Sequence, residues 1–286
     1  MGESVSALLA RHGFRLSKSM GQNFLIDPSV PERIAESAGL DGSVHVLEIG
    51  PGVGALTARL CARAGFVTAV ELDRKLLPLL GETLAAYKNY RIVQGDALKL
   101  DLRAAMDGGA ALPRRAVCAN LPYNITTPVL TRLLESGTFE TVTVMVQREV
   151  ARRVCAKAGT PDYGAFSVFA QYHASPEILF DVPPECFMPR PKVTSSVVRL
   201  RVTEKPACVS DERMFFRVVR ASFAQRRKTL ANALSASFSD IPKQALTDML
   251  LRCGLDALVR GETLDIEAFA AVADGIIGLR AVNAED

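Results

Sequence analysis

The stretch Val46-Leu-Glu-Ile-Gly-Pro-Gly-Val-Gly-Ala-Leu-Thr57 decides how this chain folds. An apolar run over 44–49 leads into three glycines at alternate positions, and a helical pattern with Leu56 and Leu60 on one face follows. This order predicts a buried parallel strand, a tight glycine turn and the start of a helix. Glycine lets the backbone pass close to a ligand. The motif alone is compatible with NAD, FAD or S-adenosylmethionine, or with no ligand at all.

Four polar residues recur at the ends of predicted strands. They are Glu48, Glu71, Asp96 and Asn120, and successive members lie 23, 25 and 24 residues apart. Each step is about one βα unit, so all four are expected at the carboxyl ends of neighbouring parallel strands. Open α/β sheets bind their ligands at that edge. Packing alone does not explain polar residues at the ends of buried strands, and the spacing therefore predicts a ligand site.

Composition excludes several classes of protein. The 286 residues suffice for one large and one small domain, and 49% of them are apolar. The sequence has no run of 18 apolar residues and no signal-peptide core, so no membrane partner is expected. Six scattered cysteines form no C-x-x-C pair, and most of them sit in apolar runs, which is typical of reduced, buried thiols and predicts a cytoplasmic location. Three distant histidines predict no metal site, and a monomer is expected. A net charge of +3 excludes a polyanion-coating protein but allows a local basic site.

Strand and helix patterns alternate along the first two thirds of the chain. Strands are predicted at 44–49, 67–73, 91–96, 116–120 and 141–147, and helices at 3–12, 28–38, 76–87, 127–136, 148–157 and 163–172. Two further strands, 177–182 and 193–200, are joined by a proline-rich loop over 183–191. A loop of that length cannot hold a crossover helix, so these strands are expected to pair antiparallel.

The pattern changes after Pro206. Helices are predicted from Asp211 onward, at 242–253 and at 265–279. We therefore predict a catalytic domain of residues 1–204 and a helical domain of residues 205–286. Near the start of the chain, a basic, glycine-broken loop over 15–25 is either a surface lead-in or a flap over the ligand.

Two of the strand-end acids suit a nucleoside. Glu71 would accept hydrogen bonds from two ribose hydroxyls, and Asp96, between Gly95 and Ala97, would accept one from an adenine amine. The alternatives are a solvent-exposed acid at position 71 and a turn-capping aspartate at position 96. The glycine loop contains no lysine or arginine, which favours S-adenosylmethionine over a dinucleotide with its pyrophosphate.

The segment Asn120-Leu121-Pro122-Tyr123 predicts the reaction class. The amine of adenine is a poor nucleophile because its lone pair is delocalised into the ring. The Asn120 side chain and the Leu121 carbonyl would accept its two N–H groups and favour a pyramidal nitrogen. Pro122 would hold that carbonyl in place, and Tyr123 would stack on the base. Phe187 would supply a second stacking face, or is an ordinary loop hydrophobe.

Basic residues mark candidate contacts with RNA. Arg148 and Arg152 share one predicted helix face. On the helix after Asp211, a stripe is predicted from Arg213, Arg217, Arg220 and Arg227, flanked by Gln225, Arg226 and Lys228. A solvated helix face is the ordinary interpretation of such a stripe. Few acids interrupt it, however, and the repulsion of like charges favours a polyanionic partner.

Together these motifs resemble the ribosomal RNA adenine N6,N6-dimethyltransferases. The segments that carry the resemblance are Lys18–Leu25, Glu48–Gly54, Glu71–Asp73, Gly95–Ala97, Asn120–Ile125, Phe187–Val193 and Phe223–Leu230, in family order over nearly the whole chain. The resemblance implies a class I methyltransferase fold with a Rossmann-like, mostly parallel seven-stranded sheet containing one antiparallel strand, followed by a small all-helical C-terminal domain. It also implies four methyl transfers from S-adenosyl-L-methionine to two adjacent adenosines near the 3′ end of small-subunit ribosomal RNA in a 30S-type particle.

The same resemblance implies the cofactor site, and it leaves three functions open. The expected cofactor residues are Asn23, Leu25, Gly50, Gly52, Glu71, Leu72, Asp96, Ala97 and Asn120. A small-subunit dimethylase is favoured by Leu121 and by the segment Gln225-Arg-Arg-Lys228. The alternatives are a large-subunit methylase of the macrolide-resistance type and a non-catalytic RNA-binding assembly factor. The intact catalytic segment and Glu71 argue against the last.

Overall fold

A computed structural model describes residues 4–14 and 22–285, and the side chains to residue 281. These residues divide into two compact units. One contains the chain up to Ala151 together with Ala174–Thr203, and the other contains Arg152–His173 together with the chain from Glu204. Most of the basic loop predicted as a flap, residues 15–21, lies outside the described residues.

The elements are numbered in chain order. The strands are β1 (Phe24–Leu25), β2 (Val44–Ile49), β3 (Phe66–Glu71), β4 (Tyr90–Gln94), β5 (Arg114–Asn120), β6 (Thr141–Gln147), β7 (Ala174–Val182), β8 (Phe187–Met188) and β9 (Ser195–Val202). The helices are α1 (Val5–Arg11), α2 (Ser29–Ser37), α3 (Ala55–Cys61), α4 (Leu77–Thr83), α5 (Leu102–Asp107), α6 (Thr126–Glu135), α7 (Arg148–Cys155), α8 (Ala165–His173), α9 (Glu212–Ala224), α10 (Leu230–Ser237), α11 (Lys243–Arg252) and α12 (Ile266–Glu285).

Seven strands form the central sheet in the order β4-β3-β2-β5-β6-β9-β7. Strands β2 to β6 pair parallel, and β9 is antiparallel to both of its neighbours. This confirms the predicted mostly parallel sheet with one antiparallel strand. The antiparallel pairing of β7 with β9 across the short proline-rich loop is also confirmed. All six residues of β2 are buried, because the strand is covered on both faces.

A second, two-stranded sheet was not predicted from the sequence. Strand β1 pairs antiparallel with β8, and Leu25 lies opposite Phe187. Two residues are too few to show an alternating pattern, so only the tertiary pairing identifies these strands. The pairing ties the N-terminal segment to the proline-rich loop beside the glycine turn.

The helical unit has its own hydrophobic core. Its largest fully buried side chains include Phe215, Phe238 and Phe269 from three different helices. Tyr163 and Tyr172, from the segment before β7, belong to the same cluster. The segment 152–173 therefore packs with the helical unit. The sequence had placed this segment in the predicted catalytic domain of residues 1–204. None of the helices among the described residues is long and apolar enough to span a membrane.

Helix α9 is shorter than the arginine spacing predicts. Asp211 caps its first turn by accepting the Met214 N–H at 2.9 Å, but the helix ends at Ala224 and the chain turns at Gln225. Arg213, Arg217 and Arg220 lie on the helix, and the prediction that Arg227 continues their face is wrong. Gln-Arg-Arg-Lys is a sequence of good helix formers, so local propensity does not reveal this end.

Candidate active site

A cavity of about 270 Å³ lies at the carboxyl edge of the parallel strands. All four polar residues at the predicted strand ends line it, as the constant spacing predicts. Every expected cofactor residue lines it as well: Asn23, Leu25, Gly50, Gly52, Glu71, Leu72, Asp96, Ala97 and Asn120. None of the described lining residues is a lysine or an arginine. The described lining residues therefore offer no cation to pair with a pyrophosphate.

The glycine turn forms the floor of this cavity. Gly50, Gly52 and Gly54 have φ values of +70°, +60° and +86°, which side chains rarely adopt. At Gly52 a Cβ atom would also lie 3.1 Å from the ring of Phe24, which lines the cavity. Glycine is therefore favoured at position 52 by the positive φ and by the close approach of that ring.

Glu71 lies at the end of β3 with 5% of its surface exposed. Its carboxylate accepts the Asp73 backbone N–H at 2.8 Å and the Gly52 backbone N–H at 3.3 Å. Burial raises the pKa of this carboxyl, and the two backbone donors oppose the shift. The acid is thus fixed to the glycine turn on one side, and it borders the cavity on the other. This contradicts the alternative of a solvent-exposed strand-end acid.

Asp96 caps a turn, as one of its two sequence interpretations predicts, and it also lines the cavity. Its Oδ1 accepts the Leu98 backbone N–H at 2.9 Å, so the side chain caps the turn after β4. Its Oδ2 lies 3.8 Å from the Nζ of Lys99, an exposed ion pair. The turn bond orients the carboxylate at the edge of the cavity, where Ala97 and Leu98 also border the space.

The segment from Asn120 to Tyr123 leaves the sheet at the end of β5. The Asn120 Nδ2 donates to the backbone carbonyl of Asn23 at 3.3 Å. Because the amide nitrogen is used in this way, the Oδ1 atom is the one available to accept a hydrogen bond from a base. The Leu121 N–H donates to the backbone carbonyl of Met145 in β6 at 3.2 Å. This bond fixes the position of Leu121 beside β6.

The Tyr123 side chain is hydrogen-bonded to a residue of another strand at the edge of the sheet. Its hydroxyl lies 2.7 Å from the Oγ of Ser195, the first residue of β9. Burial raises the pKa of the Tyr123 hydroxyl, and the bond to Ser195 opposes that rise. The ring lines the cavity. Sequence reasoning gave Ser195 no role, because a bond between residues 72 positions apart has no local signature.

Phe187 does not join the other predicted catalytic residues. Its side chain is 3% exposed and packs in a hydrophobic cluster with Leu25 and Cys186. It is absent from the lining of the cavity. In this conformation Phe187 is a core residue, and a stacking role would require its ring to turn out of the cluster.

Glu48 is a buried acid. The sequence predicts that it lies at the end of a strand but assigns it no function. It is 1% exposed and lines the cavity, and among the described residues its Oε2 has no hydrogen-bond partner. Burial raises the pKa of Glu48 to about 8, and the charge of Glu71 adds to the rise. The neighbouring thiols of Cys61 and Cys118 are also buried, with raised pKa values. The raised pKa of Glu48 favours its neutral form near pH 7.

The basic residues predicted to contact RNA differ in their surroundings. In the catalytic unit Arg148 pairs with Asp181 at 3.7 Å. In the helical unit Arg217 lies over the Phe238 ring at 4.4 Å, and Arg226 pairs with Glu262 at 2.7 Å. The remaining basic residues are also exposed: Arg152, Arg213, Arg220, Arg227 and Lys228. Arg226 also donates to the carbonyl of Pro161 at 2.6 Å, so its first role is structural. Among the described residues no group of His, Cys, Asp and Glu has metal-binding geometry.

Sheet order, glycine turn and cavity together define a class I methyltransferase of the type that uses S-adenosylmethionine. The chain belongs to the ribosomal RNA adenine dimethylase family, whose profile matches residues 13–274. It is thus a methyltransferase, and such enzymes in general take the methyl group from S-adenosylmethionine.

Individual relatives cover almost the whole chain. It is 46% identical over 277 residues to the Ribosomal RNA small subunit methyltransferase A of Geobacillus thermodenitrificans, covering 95% of this chain and 94% of that protein. It is 48% identical to the protein of the same name from Pelotomaculum thermopropionicum, with 96% and 95% covered.

Two solved structures share the fold. A dimethyladenosine transferase from Plasmodium falciparum has a TM-score of 0.73 at 23% identity, covering 87% of this chain and 95% of that one. The 23S rRNA methyltransferase ErmE has a TM-score of 0.66 at 28% identity, covering 89% and 99%.

Proposed function

We propose that this enzyme dimethylates the N6 amines of two adjacent adenosines in the 3′-terminal hairpin loop of small-subunit (16S) ribosomal RNA, using S-adenosyl-L-methionine. The main support for this proposal is that the Asn120–Tyr123 segment lines the cavity, with the Asn120 amide oriented so that its oxygen can accept a hydrogen bond. Relatives named small subunit methyltransferase A support the choice of RNA. The substrate would be RNA within a 30S-type particle, met by a monomeric enzyme in the cytoplasm.

Asn120 and Leu121 would activate the adenine amine. Hydrogen bonds from both N–H groups, to the Asn120 Oδ1 and the Leu121 carbonyl, favour a pyramidal nitrogen with a localised lone pair. Pro122 fixes φ and has no N–H, which holds the preceding carbonyl in place. The cofactor, when bound, supplies an electrophilic methyl group. A separate general base is not needed, because the amine proton becomes acidic once the nitrogen carries the methyl group.

Residues already described would hold the cofactor. Glu71 would accept the ribose hydroxyls, with its carboxylate preset by the Gly52 and Asp73 N–H groups. Asp96 would accept the adenine amine of the cofactor. The glycine turn would let its backbone approach the ligand closely. The lack of cations among the described lining residues supports a nucleoside without pyrophosphate.

Sequence identity favours the small-subunit substrate over the large-subunit one. Relatives with the small-subunit name reach 46–48% identity, whereas the 23S enzyme ErmE is 28% identical. A non-catalytic assembly factor would not need the oriented Asn120 amide or the buried Glu71. A role in small-subunit biogenesis is compatible with activity.

Methyl transfer to defined substrates tests this proposal. Tritiated S-adenosylmethionine would be offered with undermethylated small subunits, large subunits or naked small-subunit RNA, and the product nucleoside identified. We expect N6,N6-dimethyladenosine in the small subunits. Label in large subunits would favour the macrolide-resistance alternative, and no label in any substrate would favour the assembly factor.

Glu71→Ala is expected to weaken cofactor binding by roughly 1–3 kcal/mol, because the ribose hydroxyls lose their acceptor. Calorimetric titration with S-adenosylmethionine measures this, and RNA affinity without cofactor should hardly change. Glu140→Ala is the control for the loss of one acidic charge, since it removes an exposed acid that is paired with Arg114 and does not line the cavity. Unaltered affinity in a folded Glu71→Ala protein would refute the assignment of Glu71 to the ribose.

Arg227 and Lys228, both changed to alanine, are expected to weaken binding to the small subunit and to flatten its salt dependence. The slope of log K against log salt should fall by up to about one unit per lost phosphate contact. Binding is measured across a salt series, and the melting temperature should hold because both side chains are exposed.

Two controls separate phosphate contact from other effects. Arg252 and Arg260, exposed in the same unit, are changed together to match the loss of charge. Arg226→Ala is expected to lower the melting temperature, because that side chain bonds Glu262 and Pro161. An unchanged salt slope in the Arg227/Lys228 variant, or an equal fall in the Arg252/Arg260 variant, would make this segment an ordinary solvated surface.

A further inference from the structure

The hydrogen bond between Tyr123 and Ser195 joins a turn to a strand in the interior of the sheet. Ser195 is fully buried at the start of β9 and has a paired strand on each side, opposite Gln147 and Val182. Tyr123 begins a short 3₁₀ turn, Tyr123–Ile125, and is only partly buried. The hydroxyl–hydroxyl distance of 2.7 Å therefore connects the ring on the turn to one of the most constrained positions of the sheet.

The topology explains why a residue so distant in sequence reaches the site. Strand β9 runs opposite to β5 and β6, so its first residue lies at the edge where those strands end. Only an antiparallel strand can present its amino-terminal residue at that edge. The next residue, Ser196, faces the other side of the sheet, because side chains alternate along a strand. Its Oγ donates to Asp181 at 2.5 Å.

We propose that Ser195 is a positioning residue that fixes the ring of Tyr123 for stacking on the target adenine. The inference rests on the proposed function, since it assigns to Ser195 the orientation of that function's aromatic residue. A tyrosine ring on a turn would otherwise rotate about χ1 and χ2. Anchoring its hydroxyl holds the plane of the ring at the cavity, so the base meets a surface already in place.

A double-mutant cycle separates this role from general stability. The variants are Ser195→Ala, Tyr123→Phe and the two combined, with Ser196→Ala as the matched control: same strand, same burial, one side-chain hydrogen bond lost. For each, kcat and KM are measured with undermethylated small subunits, and the cofactor Kd by calorimetry. Stacking is followed through the fluorescence of an RNA fragment with 2-aminopurine at a target adenosine.

We expect Ser195→Ala and Tyr123→Phe each to lower kcat about five- to tenfold, with no further loss when combined. KM and cofactor Kd should stay within about twofold, and 2-aminopurine quenching should weaken, because a single hydrogen bond orients the ring. Ser195→Thr, which keeps the hydroxyl, should restore kcat, and Ser196→Ala should leave it unchanged.

Other outcomes overturn the inference in distinguishable ways. Additive losses in the double variant, or an equal loss in Ser196→Ala, would mean that Ser195 matters for stability alone. Wild-type kcat in Ser195→Ala with an active wild-type enzyme would overturn the inference and leave the proposed function intact. A wild-type enzyme that methylates no small-subunit adenosine would overturn both.

Discussion

Asn120→Ala is expected to lower the rate of methyl transfer by about 10²–10³-fold, the usual cost of losing one preorganised polar partner in a dry site. The amide oxygen would polarise the adenine amine only during reaction, so the loss should fall on kcat. The cofactor should still bind measurably, because Glu71 and Asp96 are unchanged. Single-turnover methyl transfer and calorimetry on the same preparation measure the two effects.

An amide removed elsewhere is the control for this variant. Asn89 donates to the carbonyls of Cys61 and Ala64, at 2.9 and 3.0 Å, outside the cavity lining. Asn89→Ala is therefore expected to lower the melting temperature while the rate of methyl transfer stays near wild type. Near-normal turnover by Asn120→Ala would refute the proposed activation of the amine.

The site residues that recur at a regular interval along the chain could be predicted from the sequence. The βα unit recurs about every 24 residues, and strand ends at that spacing meet at one edge of a parallel sheet. Glu48, Glu71, Asp96 and Asn120 accordingly line one cavity. The glycine turn was equally predictable, since three alternate glycines after a buried strand have few other uses.

The features that were not predicted depend on contacts between distant residues. The Tyr123–Ser195 bond follows from the direction of β9, and the burial of Phe187 follows from its pairing opposite Leu25. Membership of 152–173 in the helical unit is decided by side chains such as Tyr163, whose hydroxyl donates to the Leu264 carbonyl at 2.8 Å. The spacing of the basic residues likewise could not reveal that the Arg226 side chain is hydrogen-bonded to Glu262.

The pH dependence of stability should change strongly in Glu48→Gln. In the folded protein the pKa of Glu48 is raised to about 8, against 4.5 for an ordinary glutamate. Between these values the unfolded chain ionises Glu48 while the folded one keeps it neutral, so the free energy of unfolding falls as pH rises. Below pH 4.5 the contribution of the neutral acid is fully present, and above about pH 8 it is lost.

Glutamine cannot ionise, so the variant should gain stability relative to wild type across that window. At about 1.4 kcal/mol per pKa unit, the relative gain from pH 4.5 to 8 is on the order of 3–5 kcal/mol. Urea unfolding of the cofactor-free proteins at several pH values measures it, with exposed Glu135→Gln as the control. A difference independent of pH would mean that Glu48 is ionised at neutral pH. The cavity would then hold the charge of Glu48 close to Glu71, and burial alone would not be sufficient to keep Glu48 neutral.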